Sequence, residues 1–129
     1  MANAITTTYQ LNGSKLFTAK IDIVGDASGE ETVGELIDVA DLTGTPGTFK
    51  IRAIQWALEG FSAELKWEAT TDIHAFSLPS GSDGLRFSDT GAHLVNPKTT
   101  GYTGKLFMAT LGLATAGSRG TIIIEGQHK

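Results

Sequence analysis

A chain of 129 residues can bury one hydrophobic core, and its net charge of −4 gives no reason to expect nucleic acid or an anionic membrane surface as a partner. It has no cysteine, which excludes disulfides, zinc–thiolate sites and cysteine nucleophiles and fits folding in a reducing cytoplasm. The first residues lack the basic and apolar regions of a signal peptide. No apolar run approaches the roughly 20 residues of a membrane-spanning helix.

Two runs of β-forming residues open the chain, at 5–11 and 15–24, with Asn12-Gly13 between them. Asn-Gly at this place predicts a hairpin, because a type I′ turn needs positive φ at both central residues. We therefore predict an N-terminal arm or first strand at residues 1–12. A single β-sandwich domain is expected over residues 13–129.

The next two segments differ in how their apolar residues are spaced. Residues 33–40 alternate in a way that favours a strand, with a short helix as the alternative. Residues 43–47 contain Gly44, Pro46 and Gly47 and predict a turn. Residues 48–58 carry apolar side chains at both odd and even positions, which indicates a central strand or one covered on both faces.

Residues 61–69 alternate strictly, with every odd position apolar and every even position polar. A period of two is the pattern of a strand with one buried face, whereas a helix would scatter the same residues around its circumference. Phe61, Leu65 and Trp67 are therefore predicted to lie in the core.

The second half of the chain contains further short strands separated by glycine and proline. We predict strands at 73–78, 85–87, 105–111 and 121–125, a loop at 79–84 and a long connection at 88–103. Eight to nine short strands in all predict an all-β protein, an antiparallel β-sandwich. Among sandwiches we prefer a jelly-roll-like arrangement.

Residues with catalytic or metal-binding chemistry form no recognisable motif. His74, His93 and His128 share no ligand spacing, which leaves open only a metal site assembled from distant parts of the chain. No phosphate-binding glycine loop or serine elbow is present. We therefore expect a protein that is not an enzyme and that has no cofactor.

The second half of the chain contains several short strings of turn and strand residues that are similar to a known family. They are Gly60-Phe61, Leu65-x-Trp67-Glu68-Ala69-Thr70-Thr71-Asp72, Leu85-x-Phe87, Asn96-Pro97-Lys98, Gly101-Tyr102-Thr103-Gly104 and Thr121-Ile122-Ile123-Ile124-Glu125. Together they cover about residues 54–127, and this stretch resembles the small virion structural proteins of tailed bacteriophages. Some members of that group are capsid decoration, or cement, proteins. Residues 1–50 match no pattern.

The resemblance implies a β-sandwich that binds the outside of an icosahedral shell and stabilises it. It implies the major capsid protein as partner, a non-enzymatic role, and a location on the virion after synthesis in the bacterial cytoplasm. The chain itself is a second candidate partner, as a homo-oligomer.

Candidate contact residues lie in two segments. Ile5, Thr7 and Tyr9 belong to the N-terminal arm, whose β-propensity suits the addition of a strand to a neighbour's sheet. The others lie in the long connection, where binding residues are common; they are Asn96, Pro97, Lys98 and Tyr102.

Two alternative functions remain open at this point. A carbohydrate- or receptor-binding module of a tail fibre or a secreted enzyme requires exposed aromatic side chains, for which Trp56 and Tyr102 are the candidates. A tail or neck protein of the same kind of particle is the other alternative, and the sequence does not separate it from a decoration protein.

Overall fold

The computed structural model describes residues 4–13, 15–25, 34–38, 42, 49–69, 73–87, 94–95, 102–111 and 118–128. This part of the chain contains ten strands and no α-helix, which confirms the prediction of an all-β protein. The strands are β1 Ala4–Asn12, β2 Leu16–Val24, β3 Gly34–Asp38, β4 Phe49–Glu59, β5 Ser62–Ala69, β6 Ile73–Leu78, β7 Gly81–Arg86, β8 Leu94–Val95, β9 Tyr102–Leu111 and β10 Arg119–His128.

The strands form two sheets, and every described pairing between them is antiparallel. Sheet A has the order β1-β2-β10-β4-β7, with β8 paired with β4 beside this path, and sheet B has the order β3-β9-β5-β6. Early strands pair with late ones in a nested series: β2 with β10, β3 with β9, β4 with β7 and β5 with β6. Most of the pairing is therefore between residues far apart in sequence.

The core lies between the two sheets, and β5 supplies part of it as predicted. Phe61, Ala63, Leu65 and Trp67 are buried, while the even-numbered side chains between them are half-buried. Burial of such side chains removes apolar surface from water, which stabilises the folded state by roughly 25 cal/mol for each Å² buried. The prediction for the faces of this strand is confirmed.

Strand β4 is central in sheet A, and a bulge explains its apolar residues on both parities. Glu125 of β10 lies opposite Ala53, but the next residue of β10, Gly126, lies opposite Ile51. Arg52 is thus the extra residue, and the side chains after it change faces. The core-facing positions are odd before the bulge, as at Ile51, and even after it, as at Ile54.

The hairpin of β1 and β2 forms as predicted, but its turn lies further along the chain than Asn12-Gly13. Asn12 pairs with Phe17, and the Gly13 amide donates to the carbonyl of Leu16 at 2.9 Å, so Asn12 and Gly13 continue the strand pairing instead of forming the centre of the turn. Positive φ occurs among the described glycines only at Gly60 and Gly81. The predicted positive φ at Gly13 is therefore wrong.

The loop expected at residues 79–84 is partly a strand. Residues 81–86 form β7, which pairs with β4 along its length; for example, Gly84 lies opposite Gln55. The free edge of β4 offers hydrogen-bond partners that override the low β-propensity of two glycines. Strands β9 and β10 are likewise longer than predicted, since a paired neighbour extends them.

Candidate functional site

The predicted contact residues of the N-terminal arm face the interior of the sandwich. Ile5, Thr7 and Tyr9 lie opposite core-facing residues of β2, and Ile5 and Tyr9 pack against the core as partly buried side chains. The Thr7 hydroxyl donates to the carbonyl oxygen of Leu36 at 2.6 Å, which joins β1 of sheet A to β3 of sheet B. The structure thus gives these side chains contacts within their own domain.

The predicted contact residues of the long connection are only partly placed. Asn96, Pro97 and Lys98 lie outside the described residues, as does the side chain of Tyr102. The backbone of Tyr102 begins β9 opposite Ala69.

The strand ends that flank the β3–β4 and β8–β9 connections lie together at one end of the sandwich. In sheet A, β4 begins here and β8 pairs with it, with Lys50 opposite Val95. In sheet B, β3 ends and β9 begins here, with Asp38 opposite Lys105. The turn at residues 13–16 lies at the same end, so we call it the hairpin end.

Trp56 is a core residue, not an exposed aromatic platform. Its side chain is 7% exposed, and its indole N–H donates to the carbonyl oxygen of Pro79 at 3.1 Å. Its ring meets that of Phe76 edge to face, with centroids 6.0 Å apart. A carbohydrate-binding site that uses Trp56 for stacking is therefore not supported.

Three side chains on the outer face of sheet B form an array that the sequence did not reveal. His74 Nδ1 lies 3.1 Å from Glu64 Oε1, and His74 Nε2 lies 3.4 Å from Ser77 Oγ. His74 and Ser77 are three residues apart and would face opposite sides of a regular strand. A bulge at Ala75 brings them to one face, because His74 pairs with Lys66 while Phe76 pairs with Leu65.

The order serine, histidine, carboxylate in this array is that of an acyl-transfer triad. Catalysis by such a triad depends on a buried carboxylate and on preorganised donors in a site that excludes water. Here the side chains of His74 and Glu64 are 52% and 43% exposed, so water competes for both. We interpret the array as a solvent-exposed contact between a histidine and a carboxylate with a neighbouring hydroxyl.

The surface has a recess on each of the two sheets. One, of about 450 Å³, lies on the outer face of sheet B next to Ser77 and is bordered by Pro79 and Ala109. The other, of about 480 Å³, lies at the end of sheet A opposite the hairpin end and is bordered by Asp22, Glu59 and Arg119. Neither joins the predicted contact residues.

Within the described ranges, no group of three or more histidine, aspartate or glutamate side chains is placed to hold a metal ion. A search of the same residues for helices finds none long and apolar enough to span a bilayer. Comparisons with protein-family models, curated proteins and solved structures found no match to this chain. The class that the structure itself defines is a two-sheet antiparallel β protein.

Proposed function

We propose that this chain is a structural protein of a tailed-bacteriophage particle and acts there as a capsid decoration protein, with the major capsid protein as partner. The resemblance that motivates the proposal rests on residues with structural roles. Gly60 has φ of 86°, and Leu65, Trp67, Ile122 and Ile124 are buried. These residues build a scaffold, so binding is assigned to the surfaces that the scaffold presents.

The observation that carries the proposal is the grouping of strand ends at the hairpin end. Connecting segments at one end of a rigid sandwich are a common binding surface, as in the variable domains of antibodies. The segment that contains Asn96, Pro97 and Lys98 and ends at Tyr102 connects β8 to β9, and the strand ends that it joins lie at the hairpin end. We therefore assign the shell contact to this end and not to the inward-facing side chains of β1.

We also propose that the sandwich is a jelly roll. That fold is a double sheet of eight strands made of two Greek keys. The support is the nested pairing of β2 with β10, β3 with β9, β4 with β7 and β5 with β6, which rolls one long antiparallel ribbon into two sheets. In this description β1 is an added edge strand, and β8 is a short addition to β4.

Stabilisation of the shell would follow from mass action. A protein that binds the assembled lattice and not the free subunits favours the intact shell by its binding free energy at every occupied site. If one copy contacts more than one shell subunit, the first contact holds it beside the second, which raises the effective concentration for the second contact and strengthens binding overall.

Removal of the protein from its particle tests this role. We expect depleted particles to release DNA at a lower temperature than complete particles. When the ionic strength is lowered stepwise, depleted particles should release DNA first, at an ionic strength that complete particles still withstand. Purified protein added back should restore the resistance to heat and to low salt. Resistance of the depleted particle equal to that of the complete one would contradict the proposal.

Variants at the two ends of the sandwich test the assigned surface. Lys98→Ala combined with Tyr102→Ala should weaken rebinding to depleted particles. Arg119→Ala, an exposed basic residue at the opposite end, is the matched control and should bind normally. Equal binding by both variants would place the contact elsewhere.

Copy number separates decoration from the tail or neck alternative. A decoration protein is present in hundreds of copies in each particle, whereas a tail or neck protein is present in only a few. Quantitative mass spectrometry against the major capsid protein distinguishes the two.

A further inference from the structure

Strand β1 is an edge strand of sheet A among the described residues. Within the described part of the chain it pairs only with β2, and the pairing runs without a bulge from Ala4 to Tyr9. Residues 4–12 contain no Asp, Glu, Lys, Arg or Pro. Soluble proteins normally protect such edges with charges, prolines, bulges or short strands, since an unprotected edge pairs with another strand.

The other edge of sheet A carries these protections. Strand β7 contains Asp83 and Arg86 and is exposed at all six positions. The Asp83 carboxylate accepts a hydrogen bond from the amide of Gly84 at 2.7 Å, so that amide already has a partner.

Both edges of sheet B are protected as well. In β3, a bulge interrupts the strand at Leu36, and Lys105 of β9 lies 3.6 Å from Glu35 and 3.9 Å from Asp38. In β6, the bulge at Ala75 and the exposed pair of His74 and Glu64 interrupt the edge. The remaining edge strand, β8, is only two residues long. Among the longer edges that the structure describes, β1 alone combines an unbroken run with the absence of charge.

The sequence of β1 is also complementary to itself. Residues 5–9 read Ile-Thr-Thr-Thr-Tyr, which is nearly symmetric about Thr7. In an antiparallel pair centred on Thr7, Ile5 of one copy lies opposite Tyr9 of the other, and Thr6 lies opposite Thr8. Pairs of an aromatic with a β-branched residue, and of two threonines, are favourable across strands.

We infer that two copies of this chain associate through β1, in an antiparallel pair centred on Thr7, and so join their A sheets into one continuous sheet. Ile5 and Tyr9 are only partly buried in the single chain, so each has apolar surface left for a second copy to cover. Association of this kind is isologous, because the same edge serves both copies. It leaves the hairpin end free and does not depend on the capsid role.

Sedimentation velocity of the full chain over a concentration series tests the inference. Wild-type protein should shift from monomer to dimer as concentration rises. Thr6→Lys with Thr8→Lys places like charges opposite one another twice in each dimer and should raise the dissociation constant about tenfold. Thr6 and Thr8 are exposed and face away from the core, so the thermal midpoint of the variant monomer should show that it still folds.

Two further variants test the site and the register. Ser82→Lys, an exposed change on the opposite edge, is the control and should leave the dissociation constant unchanged. Thr6→Lys with Thr8→Glu puts opposite charges across the pair only in the Thr7 register and should strengthen association. In a register centred on Thr8 it would set two carboxylates together and weaken association.

A monomer at every concentration overturns the inference, and so does a dimer that the double lysine variant leaves unchanged. Weaker association of Thr6→Lys with Thr8→Glu overturns the Thr7 register.

Discussion

Phe49 of β4 and Trp67 of β5 meet edge to face, with ring centroids 5.3 Å apart, and this contact joins the two sheets at the hairpin end. Phe17 of β2 extends the group, since its ring lies 5.2 Å from that of Phe49 and is nearly perpendicular to it. All three side chains are almost completely buried. The strand ends that carry the proposed binding surface therefore rest on a packed aromatic cluster.

Truncation of Trp67 should be among the most destabilising single changes in this chain. Trp67→Ala removes a side chain that is 1% exposed and leaves a cavity beside Phe49, so we expect a loss of about 3–5 kcal/mol in the free energy of unfolding. Lys66→Ala, one residue away on the outer face, should change it by no more than about 0.5 kcal/mol. Urea unfolding measures both, and similar effects would mean that the faces of β5 are wrongly assigned.

The hydrogen bond from Thr7 to Leu36 should contribute measurably to stability. Thr7→Val keeps the shape of the side chain but removes the donor, which leaves the Leu36 carbonyl without this partner at the bulge in β3. We expect a cost of about 1–2 kcal/mol. Thr8→Val, at the exposed neighbouring position, serves as the control and should be close to neutral; an equally small effect of both changes would contradict the role of this bond.

A side chain at Gly126 should be destabilising while Phe17 is present. A Cβ built on Gly126 overlaps the Phe17 ring, which is buried and cannot move away freely. Gly126→Ala should therefore cost about 1–3 kcal/mol through overpacking. In a Phe17→Leu background the same change should cost less, and a double-mutant cycle measures the difference. Additive effects would show that the ring is not the obstacle.

The array of Glu64, His74 and Ser77 should have no nucleophilic reactivity. Because the histidine and the carboxylate are solvated, we expect a fluorophosphonate probe to label Ser77 no faster than Ser80, an exposed serine nearby. Peptide mass spectrometry gives both rates. Rapid labelling of Ser77 that is lost in His74→Gln would instead identify an activated serine and contradict the expectation that this protein is not an enzyme.

Much of the fold was predictable because the relevant signals are local. Alternation at residues 61–69 predicted a strand and its buried face, and Asn12-Gly13 predicted a hairpin at the right place. Such patterns reflect the period of a strand and the backbone preferences of turn residues, which neighbouring residues determine.

The candidate sites were less predictable because the register of strand pairing decides them. The bulge at Ala75 brings His74 and Ser77 to one face, and nothing in residues 73–78 marks it in advance. The sequence did not show whether Trp56 is buried, because its strand has apolar residues at both odd and even positions. Only the bulge at Arg52 shows which of them face the core. The core-facing position of Ile5, Thr7 and Tyr9 was not predictable either, because it depends on the pairing of β1 with β2 and its packing against β3.

The sequence by itself thus determined the all-β class, most strand positions and the buried face of β5, since these follow from the order of apolar and polar residues along the chain. Only the tertiary structure decided which strands lie at the sheet edges, where bulges shift the faces, and that β1 alone among the described edges lacks protection. Those properties depend on which backbone amides and carbonyls find partners in distant strands, and that is a consequence of the whole fold.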